Sequence, residues 1–566
     1  MLLKVTVVDE AGEKVWCRLK VYRLEGEASE PVEEVCCRGG HIFALPQGVY
    51  RVEARRGKLC APAACTVRGE GASAQADLCL RTIFDPKEWG MYSFDAHSHV
   101  TRDADSAEGT LEFAVEVIRS ENFDFFFAGS PYDTDVHYQY LSRNFTDAHA
   151  YREKYAGLMG RVNDGSFVLD IGNEVVKCRY GHMFLMNYCQ QPPFSAHYDE
   201  QFDPWLFTKE GREPDYDIRY PYEAILRERG GNSVAVAAHP TSWWWHENGE
   251  FITNIAATVG FDALAGTIDA VVILGYNDER PDYERLWYEL LDNGYFMPGV
   301  AETDAAFDRL PGSDTLRFRT YAWLKEFSID ALCRAVRAGR CAASSGPVIR
   351  MRVDGLLPGG VLPWAPGQEF DVEVECVACA DGPLKQVQII VNGRVEVEYP
   401  AQGGRFAIRH KVRAGRDGYV LAKCRDAAGR VAIANPVYIR NEPFINRGYL
   451  SSVRVNVLPE GAEGTWRLDG GEARAFAGGF ELTMNPASEL RISAGGRELA
   501  VKLFELRELQ DIFKNLYFGR FNRDRRYEPG EVPTEAFRIR QIRELLDDVR
   551  LDADIRDGSM RRREGA

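Results

Sequence analysis

A chain of 566 residues, 45% apolar and 27% charged, is too long for one hydrophobic core and has the composition of a globular protein of roughly three to five domains. Its formal net charge of -16 argues against a nucleic-acid partner, which needs a basic footprint, and against an anionic membrane surface. Thirteen cysteines without disulfide-like spacing read as reduced thiols. Asp9 and Glu10 break the first apolar run too early for a secretory segment, and no run reaches the ~20 apolar residues of a membrane span. The expected location is the cytoplasm.

Residues 1–86 alternate like short strands ("LKVTVVD", "CRLKVYRL", "GVYRVEAR") between Gly- and Asp-rich breaks, the pattern of a small β-sandwich. From 87 to 347 apolar runs ("YSFDA", "FDFFFAG", "SFVLDIG", "HMFLMN", "VAVAA", "DAVVIL", "YFMPGVA") alternate with amphipathic ones ("EGTLEFAVEVIRSE", "PYEAILRERG", "PDYERLWYELLDNG", "SIDALCRAVRAG"). Seven strands with intervening helices predict a closed, TIM-like (β/α)7 barrel. Residues 348–444 return to strand texture, with a "VNG" hairpin signal, and read as an immunoglobulin-like sandwich. Residues 445–502 read as a second small β module and 503–566 as a helical C-terminal segment. The expected fold class is therefore multidomain α/β plus β: a distorted barrel flanked by β-sandwich modules and a helical tail.

Chemistry concentrates at the ends of the barrel strands. The first runs into Asp95-Ala-His97-Ser-His99, and residues two apart on a strand share a face, so both imidazoles enter one space. Glu174 stands at the carboxyl side of "SFVLDIGNEVV", His182 opens "HMFLMN", His239 ends "VAVAAH" and Asp304 ends "GVAETD". Any one of these alone is more commonly an ordinary histidine or carboxylate. Six residues of ligand type at the ends of five strands point jointly to a metal site. Imidazole with carboxylate suits zinc, manganese or iron rather than magnesium or calcium.

The motifs "DAHSHV", "GNEV…YGHMFLMN", "AAHP", "VVILGYN" and "GVAETD", in this order, resemble the PHP (polymerase and histidinol phosphatase) metallohydrolases. The resemblance is closer to their CehA/McbA subgroup, named for carbaryl hydrolases, and covers about residues 88–440. It implies that His97, His99 and Asp304 bind one divalent ion, that Glu174 bridges to a second, and that His182 and His239 complete the second. The third ion of trinuclear members lacks its ligands here, because Ala306 stands where a histidine is expected and "FFFAGSPYDTD" has none at the matching place. Asp103 or Asp105 alone would not hold a cation. The resemblance thus implies two metal ions (Mn, Zn or Fe). It implies hydrolysis of an ester, carbamate, phosphodiester or sugar-conjugate bond rather than of a phosphomonoester.

Around this set, Trp243, Trp244 and Trp245 read either as a substrate wall or as a plug against a neighbouring domain. His246 reads as a proton donor or as a surface residue, and Tyr132 and Asp133 as candidate general acids or substrate ligands. Asn277 in "LGYN" is a candidate substrate contact, and Cys178 is incidental. The expected partner is a small-molecule or sugar-conjugate substrate; self-association is left open. The competing reading is a non-catalytic protein that binds carbohydrate or a partner on a degenerate barrel.

Overall fold

The computed structural model describes residues 1–24, 31–100, 107–129, 148–176, 182–188, 231–240, 243–245, 251–254, 259–275, 281–307, 310–312, 315–506 and 539–563. At the amino terminus the sheet Gly40–Ala44, Leu2–Val8, Ser73–Cys79 accompanies the sheet Glu33–Arg38, Trp16–Arg23, Gly48–Arg55, Ala63–Gly69. Every second residue is apolar, and Leu3, Val7, Leu19, Val21 and Val52 are fully buried in one shared core.

A sheet of 17 strands carries the centre of the molecule. Ser98–His99 pairs in parallel with Phe125–Gly129 and with Ala305–Ala306, and Phe125–Gly129 pairs in parallel with Val168–Val176. His182–Met186 then turns back, lying antiparallel between Val168–Val176 and Val234–Ala237. Parallel pairing resumes through Ala270–Leu274 and Gly299–Ala301. Arg319–Trp323 is antiparallel to both Met91–Phe94 and Cys341–Ser344. From there the sheet continues into Val431–Ala434, well beyond the expected barrel boundary.

This overturns the expected (β/α)7 barrel. Among the described residues the protein is mostly β, 49% strand and 16% helix, and forms large sheets with no closed barrel. Among the described residues there are six α-helices: Ala107–Ser120, Ala148–Val162, Val259–Ala265, Pro281–Asp292, Ile329–Arg337 and Ile539–Asp547. The misreading has a physical source, since a buried apolar run carries no mark of strand direction. The expected helical tail is also corrected. Its described residues hold a 3-10 turn, Leu503–Glu505, and one α-helix, Ile539–Asp547, while Asp548–Asp554 and Ser559–Arg562 are strands. Buried Val549, Leu551 and Ala553 recur at every second residue, and this strand pairs in parallel with Ser451–Leu458.

A core between the sheet Val348–Val353, Glu369–Val377, Arg405–Arg413 and the later strands of the large sheet buries Val374, Ile389, Val420 and Ala432. No described helix is long and apolar enough to cross a membrane.

The amino-terminal sheets are fastened to the centre by Arg18, which is 1% exposed. Its Nη2 donates to the Pro311 carbonyl at 2.6 Å, and its guanidinium lies 3.5 Å from buried Glu121 and 3.4 Å from Glu34. Ser120 Oγ donates to the Cys17 carbonyl beside it. Removing the cation strands a buried carboxylate, so Arg18→Ala is expected to cost about 3 kcal/mol of stability. Urea unfolding measures it, and an unchanged midpoint would mean the cluster contributes nothing.

Candidate metal centre

The centre is assembled by the short strand Ser98–His99, the strand Val168–Val176 that carries Glu174, and the turns that carry His239 and Asp304. Asp95 ends the run "YSFD" and ties two segments together. Its Oδ1 accepts from the backbone N–H groups of His97 and Thr303, both at 3.1 Å, and its Oδ2 from Thr303 Oγ1 at 2.5 Å. The Asp304 N–H donates to the His97 carbonyl at 3.0 Å. Gly129 lies directly opposite His99, and a Cβ there would stand 2.2 Å from the Ser98 carbonyl oxygen. Only glycine lets the two strands approach this closely. Gly172 likewise leaves room for the Phe184 ring, which packs 5.0 Å from the His97 ring. His239 and Asp304 hold φ of +25° and +48°, left-handed values that cost a non-glycine residue strain and recur at functional sites.

Five side chains converge there. His97 Nε2 lies 3.1 Å from His99 Nε2, 3.6 Å from Glu174 Oε2 and 3.5 Å from Asp304 Oδ1. His99 Nε2 lies 3.3 Å from Glu174 Oε2 and 3.0 Å from Asp304 Oδ1. His97 Nε2, His99 Nε2 and Glu174 Oε2 form one triangle of donor atoms, and Asp304 Oδ1 forms another on the same His97–His99 edge. Their edges of 3.0 to 3.6 Å are the spacing of neighbouring donors on one ion, since two zinc bonds of about 2.0 Å at a tetrahedral angle set their donors about 3.3 Å apart. The second oxygen of Glu174, Oε1, lies 3.0 Å from His239 Nε2. Donor atoms of His97, His239 and Asp304 also fall within 4.8 Å of one another. The residues present therefore fit a cation with imidazole and carboxylate ligands, and Glu174 turns one oxygen to His99 and the other to His239.

The electrostatics agree with a site built for positive charge. Burial opposes protonation of His97, yet Asp304, Glu174 and Glu302 hold its pKa well above the ordinary imidazole value. Burial likewise opposes charge on His99 and His239. Hydrogen bonds to Asp304 and Glu174 raise the first, and a hydrogen bond to Glu174 with the Glu302 charge raises the second. Burial would lift Asp304, but the facing imidazoles, His97 foremost, hold it well below the usual carboxylate range. Asp95 is different: burial pushes its carboxyl up to about 7 against the hydrogen bonds from Thr303 and the His97 N–H.

Of the residues singled out from sequence, the structure brings together His97, His99, Glu174, His239 and Asp304. His182 opens the strand His182–Met186, and Trp243–Trp245 pairs antiparallel with Phe251–Asn254, but their side chains lie outside the described residues. Tyr132, Asp133, His246 and Asn277, with Asp103, Asp105 and Cys178, also lie outside them. Sequence reasoning missed Asp95, Thr303 and Glu302. Glu302 is fully buried, its Oε2 lies 2.8 Å from His97 Nδ1, and its Oε1 accepts from the His239 N–H at 2.8 Å. The signal was a carboxylate two residues before Asp304, next to a strand too apolar to leave it solvated.

No family model matches the chain, and no curated protein matches it. Similar solved structures include the major pilin subunit BcpA of Bacillus cereus, 11% identical over 27% of this chain and 60% of that one, with a TM-score of 0.13. The chain thus spans less than two thirds of that pilin's length. A β-glucuronidase of Parabacteroides merdae is 9% identical over 87% of this chain and 74% of that one, with a TM-score of 0.17. One of Bacteroides uniformis is 9% identical over 87% and 76%, also at 0.17. Likenesses this slight say nothing of fold or activity here.

Proposed function

We propose that the chain is a metal-dependent hydrolase that cleaves an ester, carbamate, phosphodiester or sugar-conjugate bond. The observation that carries the reading is the convergence of His97, His99, Glu174 and Asp304 donor atoms, each carboxylate oxygen lying 3.0 to 3.6 Å from both imidazole nitrogens. Its motifs also resemble the PHP metallohydrolases. His97, His99 and Asp304 would hold one divalent ion, and Glu174 would bridge to a second held by His239 and His182. When bound, such ions supply a water of lowered pKa as nucleophile and polarise the bond under attack. The chain's own residues do the rest. Asp95 and Thr303 fix the turn that carries His97, and Phe184 closes one side of its ring. The leaving group needs a proton donor, which we place among Tyr132, Asp133 and His246.

Two measurements test this. Metal analysis of pure protein reconstituted with manganese, zinc or iron is expected to give about two ions per chain. Fewer than one would sink the reading. A hydrolysis screen of chelated and reloaded protein should then span aryl esters, carbamates, phosphodiesters and glycosides, with phosphomonoesters as the class expected to fail. Within the same proposal, at least one of Trp243, Trp244 and Trp245 would stack on the substrate's organic part. Replacing the stacking residue by Ala should raise KM several-fold with little change in metal content, since one stacked ring contributes about 1 kcal/mol. If all three single variants keep KM and instead lower the melting temperature, the tryptophans are a structural plug.

A further inference from the structure

Glu302 lies at the back of the centre, fully buried, and belongs to neither group of converging donor atoms. Both of its oxygens are taken. Oε2 faces His97 Nδ1 at 2.8 Å, and Oε1 accepts from the His239 N–H at 2.8 Å. A carboxylate oxygen has no proton to give, so His97 donates through Nδ1–H. In the neutral ring that binds a cation, the Nε2 lone pair is then the one that faces His99, Glu174 and Asp304. The second bond anchors a residue whose φ of +25° is otherwise disfavoured. Glu302 is itself held, because its N–H donates to the Leu274 carbonyl at 3.0 Å. Gly275 leaves the space its side chain crosses: a Cβ there would stand 3.1 Å from Glu302 Cγ and 3.1 Å from its carbonyl oxygen.

We propose that Glu302 is a positioning residue for both halves of the centre, fixing the His97 tautomer with one oxygen and the His239 backbone with the other. The inference rests on the metal-site reading above. Its chemistry is specific, because both partners donate and only a group that accepts at two oxygens satisfies them together. Glutamine, of the same shape, must turn its NH2 toward one of the two donors. If that is His97, the ring is satisfied only by moving its proton to Nε2, which removes the lone pair from the site. If it is His239, the strained backbone loses its anchor. Orienting carboxylates of this kind change metal affinity by about 10- to 100-fold.

The test uses the full chain, chelated and titrated with zinc against a chromophoric competitor, and separately loaded with cobalt(II) for its visible spectrum. Glu302→Gln is expected to bind zinc about 10- to 100-fold more weakly and to change the cobalt(II) spectrum, with a melting temperature near that of the unaltered protein. Gly275→Ala, which crowds Glu302 without touching a proposed ligand, is expected to move both readouts the same way by a smaller amount. Unaltered affinity and spectrum in Glu302→Gln would overturn the proposal. So would a collapsed melting temperature in that variant combined with wild-type affinity in Gly275→Ala. A wild-type chain that takes up neither ion would instead overturn the metal-site reading itself, and this inference with it.

Discussion

Glu174→Gln is expected to abolish hydrolysis and to sharply lower metal content. Glu174 sits inside the strand Val168–Val176, 5% exposed, and divides its oxygens between two neighbours. Oε2 stands 3.3 Å from His99 Nε2, and Oε1 stands 3.0 Å from His239 Nε2. The amide keeps the shape but removes the negative charge and turns a donor to one side. A bridging carboxylate holds the cations and their shared water together, so nucleophile and metal should be lost at once. Loss of a ligand should exceed the about 10- to 100-fold effect of outer hydrogen-bond partners, so at least a hundredfold fall in turnover is expected. Elemental analysis and steady-state kinetics on the same preparation measure both, with a melting curve to show that the variant folds. Near-normal turnover would place Glu174 outside the chemistry.

The parts of this centre that could be read from sequence are those set by spacing along one strand. His97 and His99 are two residues apart, and on extended backbone that fixes a shared face whatever the fold around it. Their Nε2 atoms are 3.1 Å apart in consequence. Glu174, His239 and Asp304 were legible as chemistry by the apolar runs they interrupt or end. Their meeting depends on which strands neighbour which and in what direction, and the direction was not legible. "HMFLMN" is as apolar as "FDFFFAG", yet His182–Met186 runs antiparallel to its neighbours while Phe125–Gly129 runs parallel. Direction is decided by the connections, and composition does not record it. Pairing of Cys341–Ser344 with Val431–Ala434, about 90 residues later, is equally invisible to a local pattern. Glu302 was missed for a different reason. A carboxylate in "VAETDAAF" looks like a solvated neighbour of Asp304 until its burial and its two donors are seen. In the tail, by contrast, Val549, Leu551 and Ala553 did carry a period of two, overshadowed by the amphipathic run before them.

Gly129→Ala is expected to disable the centre without replacing any residue in it. Gly129 pairs with His99 in parallel strands, and an added Cβ would fall 2.2 Å from the Ser98 carbonyl oxygen and 3.4 Å from the His99 Cα. The close atom is backbone, so no side-chain rotation relieves the clash. Ser98 Oγ also donates to the Phe127 carbonyl at 3.2 Å, which ties the same two strands together one step back. Relief must therefore come from moving Ser98 and His99 by about an ångström relative to Phe125–Gly129, and a displacement of that size in a reacting group costs about a hundredfold in rate. His97 is also held from the other side by Glu302, so His99 should yield first and spoil the 3.0 Å approach of its Nε2 to Asp304 Oδ1. The expected result is weaker zinc binding and a fall of about two orders of magnitude in turnover. Gly157→Ala provides the control, since that position lies in the helix Ala148–Val162 with nothing within 4 Å of the added methyl. Alanine is favoured over glycine by up to about 1 kcal/mol in a helix interior, so that variant should be neutral or slightly stabilised. Wild-type zinc affinity in Gly129→Ala would show that the strand tolerates the shift, and that the spacing of Ser98–His99 against Phe125–Gly129 does not set the geometry of the centre.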